Sequence, residues 1–417
     1  MKGAKWTVLV LALGLVLPVS AGMAQDGNFL PLYTAINLGT LSGDKATAYG
    51  INRNGGVGGT STLAGDTTQR GVLWLGALKL EMGTLGGPNS SSQFAPNLSD
   101  QATGNADTSE LDPLGEDFCG GGTYLKCLPF LRQRGGIMIP LPTFGGNNGG
   151  GVDINNAGQV VGAAETRVHD GTCVAPQVLQ VLPAVWDGPF GPRPLPTYFG
   201  DPDGAAIANN DNGQVTGYSG DCSSNQFAHA LFWQDGRLIH LPSLGGEKNN
   251  SGQDINSRGD VVGFSDLPGD TAQHAVIWRN GRVEDLGTLP GDVSSSAYGI
   301  NNLGQVVGES CDADNNCTAV LWLNGTIIDI NTLLPPNSSL YLVEALDIND
   351  SGEIVGHAYQ QSTGKHPAFL AVPLRTADGA VITAEQSNSV PKVILPQSLQ
   401  KASPWVRGHF GAPQTTP

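Results

Sequence analysis

The stretch INNLGQVVG, from Ile300 to Gly308, decides the fold, because versions of it recur seven times along the chain. The other copies are INRNGGVGG from Ile51, PNLSDQATG from Pro96, INNAGQVVG from Ile154, NNDNGQVTG from Asn209, INSRGDVVG from Ile255 and INDSGEIVG from Ile348. Their fifth residues are 45 to 58 residues apart. Such a period is typical of repeat architectures, in which each unit packs on its neighbours.

Each copy of this stretch predicts a β-hairpin. Asn at the second position opens a tight turn through its side chain, and Gly at the fifth supplies a positive φ. The β-branched residues that follow, such as Val306 and Val307, indicate the returning strand. Recurrence in every unit favours a structural role over a catalytic one. We assign this turn role to Asn52, Gly55, Asn97, Asn155, Gly158, Asn210, Gly213, Asn256, Gly259, Asn301, Gly304, Asn349 and Gly352.

Two further signatures complete each unit. An apolar stretch ending in Trp, as in HAVIWRNG from His274, predicts a third strand, strand C. A segment similar to LGTLPG, at Leu286, is interpreted as the fourth strand, strand D. One such segment, at Leu38, precedes the first hairpin, whereas the last unit, after Leu370, has no good copy. Packing between units is the predicted role of Trp74, Trp186, Trp233, Trp278 and Trp322.

Four strands in each of seven units predict an all-β fold, a seven-bladed β-propeller of four-stranded blades. The early segment at Leu38 predicts that an N-terminal strand pairs near Phe369 and closes the last blade, which removes exposed sheet edges. An open solenoid would not explain a strand D before the first hairpin. A second alternative is that GAVIT, at Gly379–Thr383, is the local outer strand of the last blade, although it lacks the motif.

The two ends of the chain lie outside the repeat. Lys2 and Lys5 precede an uncharged apolar run that ends in small residues, the pattern of a secretory signal peptide cleaved after Ala24 or Ala21. A membrane anchor is disfavoured because the run is shorter than the ~20 residues that a spanning helix needs. The predicted organisation is a signal peptide over 1–24, a propeller over 31–373 and a flexible C-terminal tail over 374–417.

The composition is acidic, with a formal net charge of −16. Nucleic acids and anionic membranes bind basic patches, so neither is an expected partner. We expect a monomer that is secreted, either to the periplasm or to the extracellular medium, with no membrane span after signal cleavage.

Six cysteines follow the predicted signal peptide, and an even number in an exported chain suggests disulfides. Six cysteines allow fifteen complete pairings. Short spacings favour Cys119 with Cys127 and Cys311 with Cys317, because each pair would close a local loop. Cys173 and Cys222 then remain as a third pair.

With these motifs in place, the chain resembles the bacterial HAF-repeat family of extracellular repeat proteins from about Asn37 to about Leu370. The fifth and sixth units match best. The second unit departs most, since Pro96, Asp100 and Arg132 stand at motif positions. The resemblance implies export and a propeller-like fold, but no defined activity and no catalytic residues.

The loops between strands B and C vary in length and chemistry, so they and the links between blades form the candidate recognition face. We expect a non-catalytic binding or scaffold module with carbohydrate or another extracellular protein as its partner. The alternative is an extracellular enzyme acting on polysaccharide, a hydrolase or lyase. No pair of acids stands out for that chemistry, and His229, His274 and His366 occupy one slot in different units.

No cofactor is expected, although the acidic loops leave a Ca²⁺ site open as an alternative. CDADNNC, at Cys311–Cys317, has alternating Asp residues of the right kind. A solvated loop is favoured because a complete twelve-residue ligand loop is missing. The loop acids in question are Asp170, Asp221, Asp266, Asp270, Asp312 and Asp314.

Overall fold

Seven four-stranded antiparallel sheets build the protein, and each sheet is one blade of a propeller. The computed structural model describes residues 29–222, 228–376, 378–385 and 391–396. The predicted signal peptide lies outside these residues. Within them the one helix is a 3-10 turn at Ile330–Leu333. None of the described residues forms a helix with the length and hydrophobicity to cross a bilayer.

Strands are lettered A to D from the central axis outwards, and blades are numbered 1 to 7 from the first hairpin. Strand A is, in blade order, Ala46–Ile51, Gly86–Ser91, Gly149–Ile154, Asp203–Asn209, Asn250–Ile255, Ser294–Ile300 and Tyr341–Ile348. Strand B is Gly56–Thr62, Ala102–Leu111, Val160–His169, Val215–Gly220, Val261–Asp266, Val306–Cys311 and Ile354–Tyr359. Strand C is Gln69–Leu75, Leu125–Arg132, Leu179–Trp186, His229–Gln234, Gln273–Arg279, Cys317–Leu323 and Ala368–Pro373. Strand D is Leu78–Glu81, Met138–Pro140, Arg193–Pro194, Arg237–His240, Arg282–Asp285, Thr326–Asp329 and Tyr33–Gly39.

The N-terminal strand closes the ring, as predicted. Tyr33–Gly39 pairs with strand C of blade 7, and Asn37 lies opposite Phe369. The alternative outer strand, GAVIT, does not join this blade, because Thr383–Glu385 pairs instead with Phe29–Pro31. Blade 7 therefore contains both the first and the last strand of the propeller.

Most residues of the LGTL-like segments belong to links between blades, which corrects the interpretation of these segments as strand D; Leu38 and Gly39, however, do end strand D of blade 7. The link at Leu286, for example, follows strand D of blade 5 and leads to blade 6. Pro and Gly in these segments are poorly suited to a strand ladder. In blades 1, 3, 4, 5 and 6 the strand C Trp donates its indole Nε1–H to a carbonyl of the preceding segment, at 2.8 to 3.1 Å. Each of these Trp side chains is at most 4% exposed, so the predicted packing groups also tie neighbouring blades together.

The seven hairpin asparagines join the blades into a ring. In every turn the Asn Oδ1 accepts the backbone N–H groups two and four residues on. The six motif glycines have φ between 72° and 82°, and Asp100 adopts 58° at the same position. Each Asn Nδ2 donates to a carbonyl of the next blade at 2.9 to 3.4 Å. The bond from Asn349 in blade 7 to Asn52 in blade 1 completes the circuit.

Three aspartates reinforce alternate junctions of this ring. Asp153, Asp254 and Asp347 each stand two residues before a hairpin Asn. One oxygen of each carboxylate accepts a backbone N–H of the next blade at 2.8 or 2.9 Å. The other oxygen accepts the following N–H of its own strand. These charge-assisted bonds connect blades 3 to 4, 5 to 6 and 7 to 1.

Part of the region predicted as a tail contacts blades 6 and 7. Lys392 Nζ lies 2.6 Å from Asp292 Oδ1. The backbone N–H of Leu395 donates to Asn316 Oδ1 at 3.0 Å. Leu395 is also buried against Tyr341.

Asn301 allows the turn and the ring to be tested separately. Asn301→Asp keeps the Oδ1 acceptor of the turn but loses the Nδ2 donor to Asn349, whereas Asn301→Ala loses both. We expect N301D to lower the free energy of unfolding by about 1–3 kcal/mol, because the Asn349 carbonyl keeps the Gly352 N–H but loses the Asn301 donor and faces a carboxylate oxygen instead. N301A should lower it further. Chemical denaturation followed by Trp fluorescence measures both changes.

The exposed Asn337 supplies the control for this experiment. Asn337→Ala should change the free energy of unfolding by less than about 0.5 kcal/mol. A denaturation midpoint for N301D equal to that of the wild type would contradict a stabilising role of the ring.

Candidate functional site

Three inner-strand side chains form a buried cluster close to the hairpin ring. They are Tyr49 of blade 1, Tyr298 of blade 6 and Leu346 of blade 7. All three side chains are at most 5% exposed. The A–B and C–D turns occupy the end with the ring, and the candidate surface is therefore the opposite end, the loop face, formed by B–C loops and D–A links.

Three disulfides lie on the loop face, and they confirm the predicted pairing. Cys119 bonds to Cys127 and Cys311 to Cys317, each within the B–C loop region of one blade. Cys173 bonds to Cys222 and joins blade 3 to blade 4. Disulfides are compatible with an oxidising compartment.

The three motif histidines lie in separate blades, as their spacing predicted, and form no common site. His274 Nδ1 lies 3.0 Å from Asp285 at the end of strand D of its own blade. Arg70 and Glu81 form the same cross-strand pair in blade 1, at 2.9 Å. In blade 7, burial lowers the pKa of His366 to about 4, with His357 adding a second, smaller effect.

In its described strands, blade 4 lacks the cross-strand pair of a basic and an acidic side chain that blades 1 and 5 have. His240 occupies the strand D position that is acidic in blades 1 and 5. His229 turns instead to the preceding link, where its Nδ1 lies 2.8 Å from Asp201 Oδ2. Tyr198 stacks on His229 with ring centroids 4.0 Å apart and lies 4.7 Å from His240. Burial, and then the proximity of His229, lower the pKa of His240, which favours its neutral form.

An exposed aromatic residue follows Tyr198 directly in the chain. Phe199 is 97% exposed, whereas the same position in five other links is Ser42, Gly86, Gly145, Gly245 or Pro290. Strand C begins and strand D ends at the loop face, so the histidines and the link lie on one side of the molecule. We call this surface the blade 4 rim: Tyr198, Phe199, Asp201, His229 and His240.

The hydroxyl next to the rim does not form a nucleophile triad. Ser219 is fully buried and donates its Oγ–H to Asp201 at 2.5 Å. Asp201 therefore lies between Ser219 and His229, whereas a triad needs His next to Ser. Blade 6 repeats the same bond between Ser310 and Asp292, which indicates a structural role.

In the first buried acid pair, Glu116 and Glu165, both carboxylates accept several hydrogen bonds. Glu116 Oε1 accepts the backbone N–H groups of Val178 and Leu179, both at 2.8 Å. Glu165 Oε2 accepts the backbone N–H of Asn148, also at 2.8 Å. Burial, and then Glu116, raise the pKa of Glu165 to about 7. These bonds attach the long B–C insert of blade 2 to blade 3.

A second pair, Glu309 and Glu344, lies between blades 6 and 7. Tyr298 donates its hydroxyl to Glu309 at 2.7 Å, and His357 Nδ1 lies 3.6 Å from Glu344. Burial, and then the adjacent Glu344, raise the pKa of Glu309 to about 8. The two glutamates are 3% and 6% exposed, so they are closed to a large substrate.

A third pair, Asp170 and Asp203, lies between blades 3 and 4 next to the inter-blade disulfide. The two carboxylates are in contact, and burial together with this contact raises the pKa of Asp203 to about 8. One oxygen of each carboxylate is buried with no hydrogen-bond donor. This pair alone among the three leaves oxygens of both acids unpartnered.

Sequence reasoning named Asp170 but missed these pairs. One signal for the pairs was available in the sequence, namely an ionisable residue directly after the strand B glycine. This residue is Glu309 in blade 6 and His357 in blade 7, whereas it is Ala163 in blade 3 and Phe264 in blade 5.

Several of the loop acids named from the sequence accept hydrogen bonds from nearby residues. Asp312 Oδ1 accepts two backbone N–H groups of its own loop, and Asp270 accepts the N–H of Glu247. Asp266 is likewise bonded to Asn249.

Glu309 makes stability depend on pH. Because its pKa is raised to about 8 from 4.5, the folded protein holds a proton that the unfolded chain releases. The free energy of unfolding should therefore fall as the pH rises from about 5 to 8. Glu309→Gln stays neutral, so its melting temperature should exceed that of the wild type by a few degrees at pH 8.5 and match it near pH 5. Calorimetry across this range measures the difference.

The exposed Glu284, replaced by Gln, is the control and should follow the wild type at every pH. If E309Q kept the pH slope of the wild type, the proton released on unfolding would have to come from a group other than Glu309.

Comparisons with known proteins yield distant structural likenesses and no family. No protein-family model matches, and no curated protein matches in sequence. A mutant of AofleA from Arthrobotrys oligospora is 11% identical, with a TM-score of 0.38 over 83% of this chain and 94% of that one. Trypanosoma rangeli sialidase is 9% identical, with a TM-score of 0.37 over 82% of this chain and 58% of that one. A prolyl endopeptidase is 10% identical, with a TM-score of 0.42 over 85% of this chain and 54% of that one.

Proposed function

We propose that this protein is a non-catalytic carbohydrate-binding propeller whose binding site is the blade 4 rim. The observation that carries the proposal is the 97% exposed ring of Phe199 beside the Tyr198–His229 stack. The rim is also the place where blade 4 departs from the repeat, so it is not explained by the scaffold.

The chemistry of the rim suits a sugar. One face of a pyranose presents C–H groups that pack on aromatic rings, and its hydroxyls need directional donors and acceptors. Phe199 offers the apolar surface. Asp201 and the two histidines offer polar atoms on the same face of the blade, and His240 in its neutral form both donates and accepts.

The rim is held in place before a ligand arrives. Trp233 donates its indole N–H to Pro196 at 2.8 Å, and Thr197 donates its hydroxyl to the Asp201 carbonyl at 2.8 Å. Both bonds fix the link that bears Phe199. A fixed site loses less conformational entropy on binding.

The remaining expectations belong to the same proposal. Under this proposal the chain belongs to the HAF-repeat family, loses a signal peptide and acts in the periplasm or outside the cell. The rim would then meet polysaccharides and glycoproteins, which occur in these places. An extracellular protein partner or a polysaccharide hydrolase or lyase are the competing functions. The Glu309–Glu344 pair gives the enzyme little support, because both acids are buried.

Phe199→Ala and His240→Ala test the site. A glycan array with the purified protein first identifies the ligand, and titration calorimetry then measures affinity. We expect each substitution to weaken binding about tenfold, the equivalent of about 1.4 kcal/mol, through loss of stacking or of a polar contact.

Phe190→Ala is the matched control, since Phe190 is 73% exposed but lies in the C–D turn of blade 3 on the hairpin face. Its affinity should equal that of the wild type. An equal loss in F190A and F199A, or an array without any bound glycan, would rule out the rim as a sugar site.

A further inference from the structure

Asp170 and Asp203 come from neighbouring blades and meet at the loop face. Asp170 follows strand B of blade 3, and Asp203 begins strand A of blade 4. The disulfide between Cys173 and Cys222 lies directly against them, since both sulfurs and an Asp203 oxygen are within 4.8 Å of one another. The two carboxylates also contact each other.

The donors around the two acids satisfy half of their oxygens. Asp203 Oδ1 accepts the backbone N–H of Val181 at 2.6 Å. Asp170 Oδ1 accepts the backbone N–H and the hydroxyl of Thr172, at 2.7 and 2.8 Å. The Oδ2 atoms of both residues are buried and have no donor. Asp203 as a whole is only 8% exposed.

Two carboxylate oxygens in contact, with no donor from another residue, repel each other unless a proton or a metal cation lies between them. A buried carboxylate without a partner is costly, and two of them repel each other. Neither acid forms an ion pair with a described Lys, Arg or His. The charge of Asp221, at the end of blade 4 strand B, adds to the negative potential at Asp203.

The donor set selects the type of ion. Cys173 and Cys222 are bonded to each other, so they offer no thiolate, and the available ligands are oxygens. Oxygen ligands suit Ca²⁺ better than zinc or copper. We propose that Asp170 and Asp203 bind a Ca²⁺ ion through their Oδ2 atoms, as a second cross-link between blades 3 and 4 beside the disulfide.

This site differs from the acidic loop that the sequence singled out. In CDADNNC, Asp312 Oδ1 already accepts the backbone N–H groups of Asp314 and Asn316, at 3.0 and 2.9 Å. Those bonds satisfy the loop without an ion. The proposal is also independent of sugar binding, because its readout is ion binding alone.

The test uses the purified protein after removal of metals with EDTA. Titration with CaCl₂ should release or absorb heat, and the melting temperature should rise with Ca²⁺ concentration. Asp170→Asn and Asp203→Asn should each weaken Ca²⁺ binding at least tenfold. Asp314→Asn, in the CDADNNC loop, is the control and should respond to Ca²⁺ like the wild type.

Melting temperatures measured without Ca²⁺ show whether a variant loses ion binding only because it misfolds. Replacing one carboxylate by an amide removes the repulsion and supplies a donor, so D203N without Ca²⁺ should melt no lower than the ion-free wild type. No heat and no stabilisation of the wild type up to about 10 mM Ca²⁺, beyond the range of weak extracellular sites, would overturn the proposal. So would a D203N variant that keeps the response, or equal affinity for MgCl₂.

Discussion

One amide side chain, repeated seven times, shapes each hairpin and also connects it to the next. The oxygen of each hairpin Asn holds its own turn, and its nitrogen reaches the neighbouring blade. Asp could shape the turn but has no donor for the neighbour, and Ser is too short to do both. The blade positions around the axis therefore depend on an interaction that only Asn provides at this place.

The ring of asparagines and the Trp bonds at the outer side connect the blades. The residues of the loop face can therefore vary without breaking these bonds. Replacing an acid by His240 alters the surface of blade 4 without touching a bond between blades. The same holds for Phe199, which takes the place of small residues in other links. Binding chemistry can thus be placed on one blade while the other six keep their structural pattern.

The repeat was sufficient to predict the blades, the closure and the disulfides, because each follows from spacing along the chain. The links were misassigned as strands because leucine next to small residues suits both, and only the bonds from Trp278 and its counterparts separate them. The acid pairs were missed for another reason. Glu309 and Glu344 belong to different units, so they meet only when blades 6 and 7 lie side by side. Phe199 could have been found, since it breaks an otherwise regular motif.

The strand Tyr33–Gly39 also sets the order in which the molecule can be assembled. Its partner, Ala368–Pro373, is almost the last part of the propeller to be made. The first strand therefore stays without its pairing while six blades are synthesised, and the ring gains its final cooperativity at the end. The closed ring therefore cannot form before the residues of Ala368–Pro373 have been synthesised.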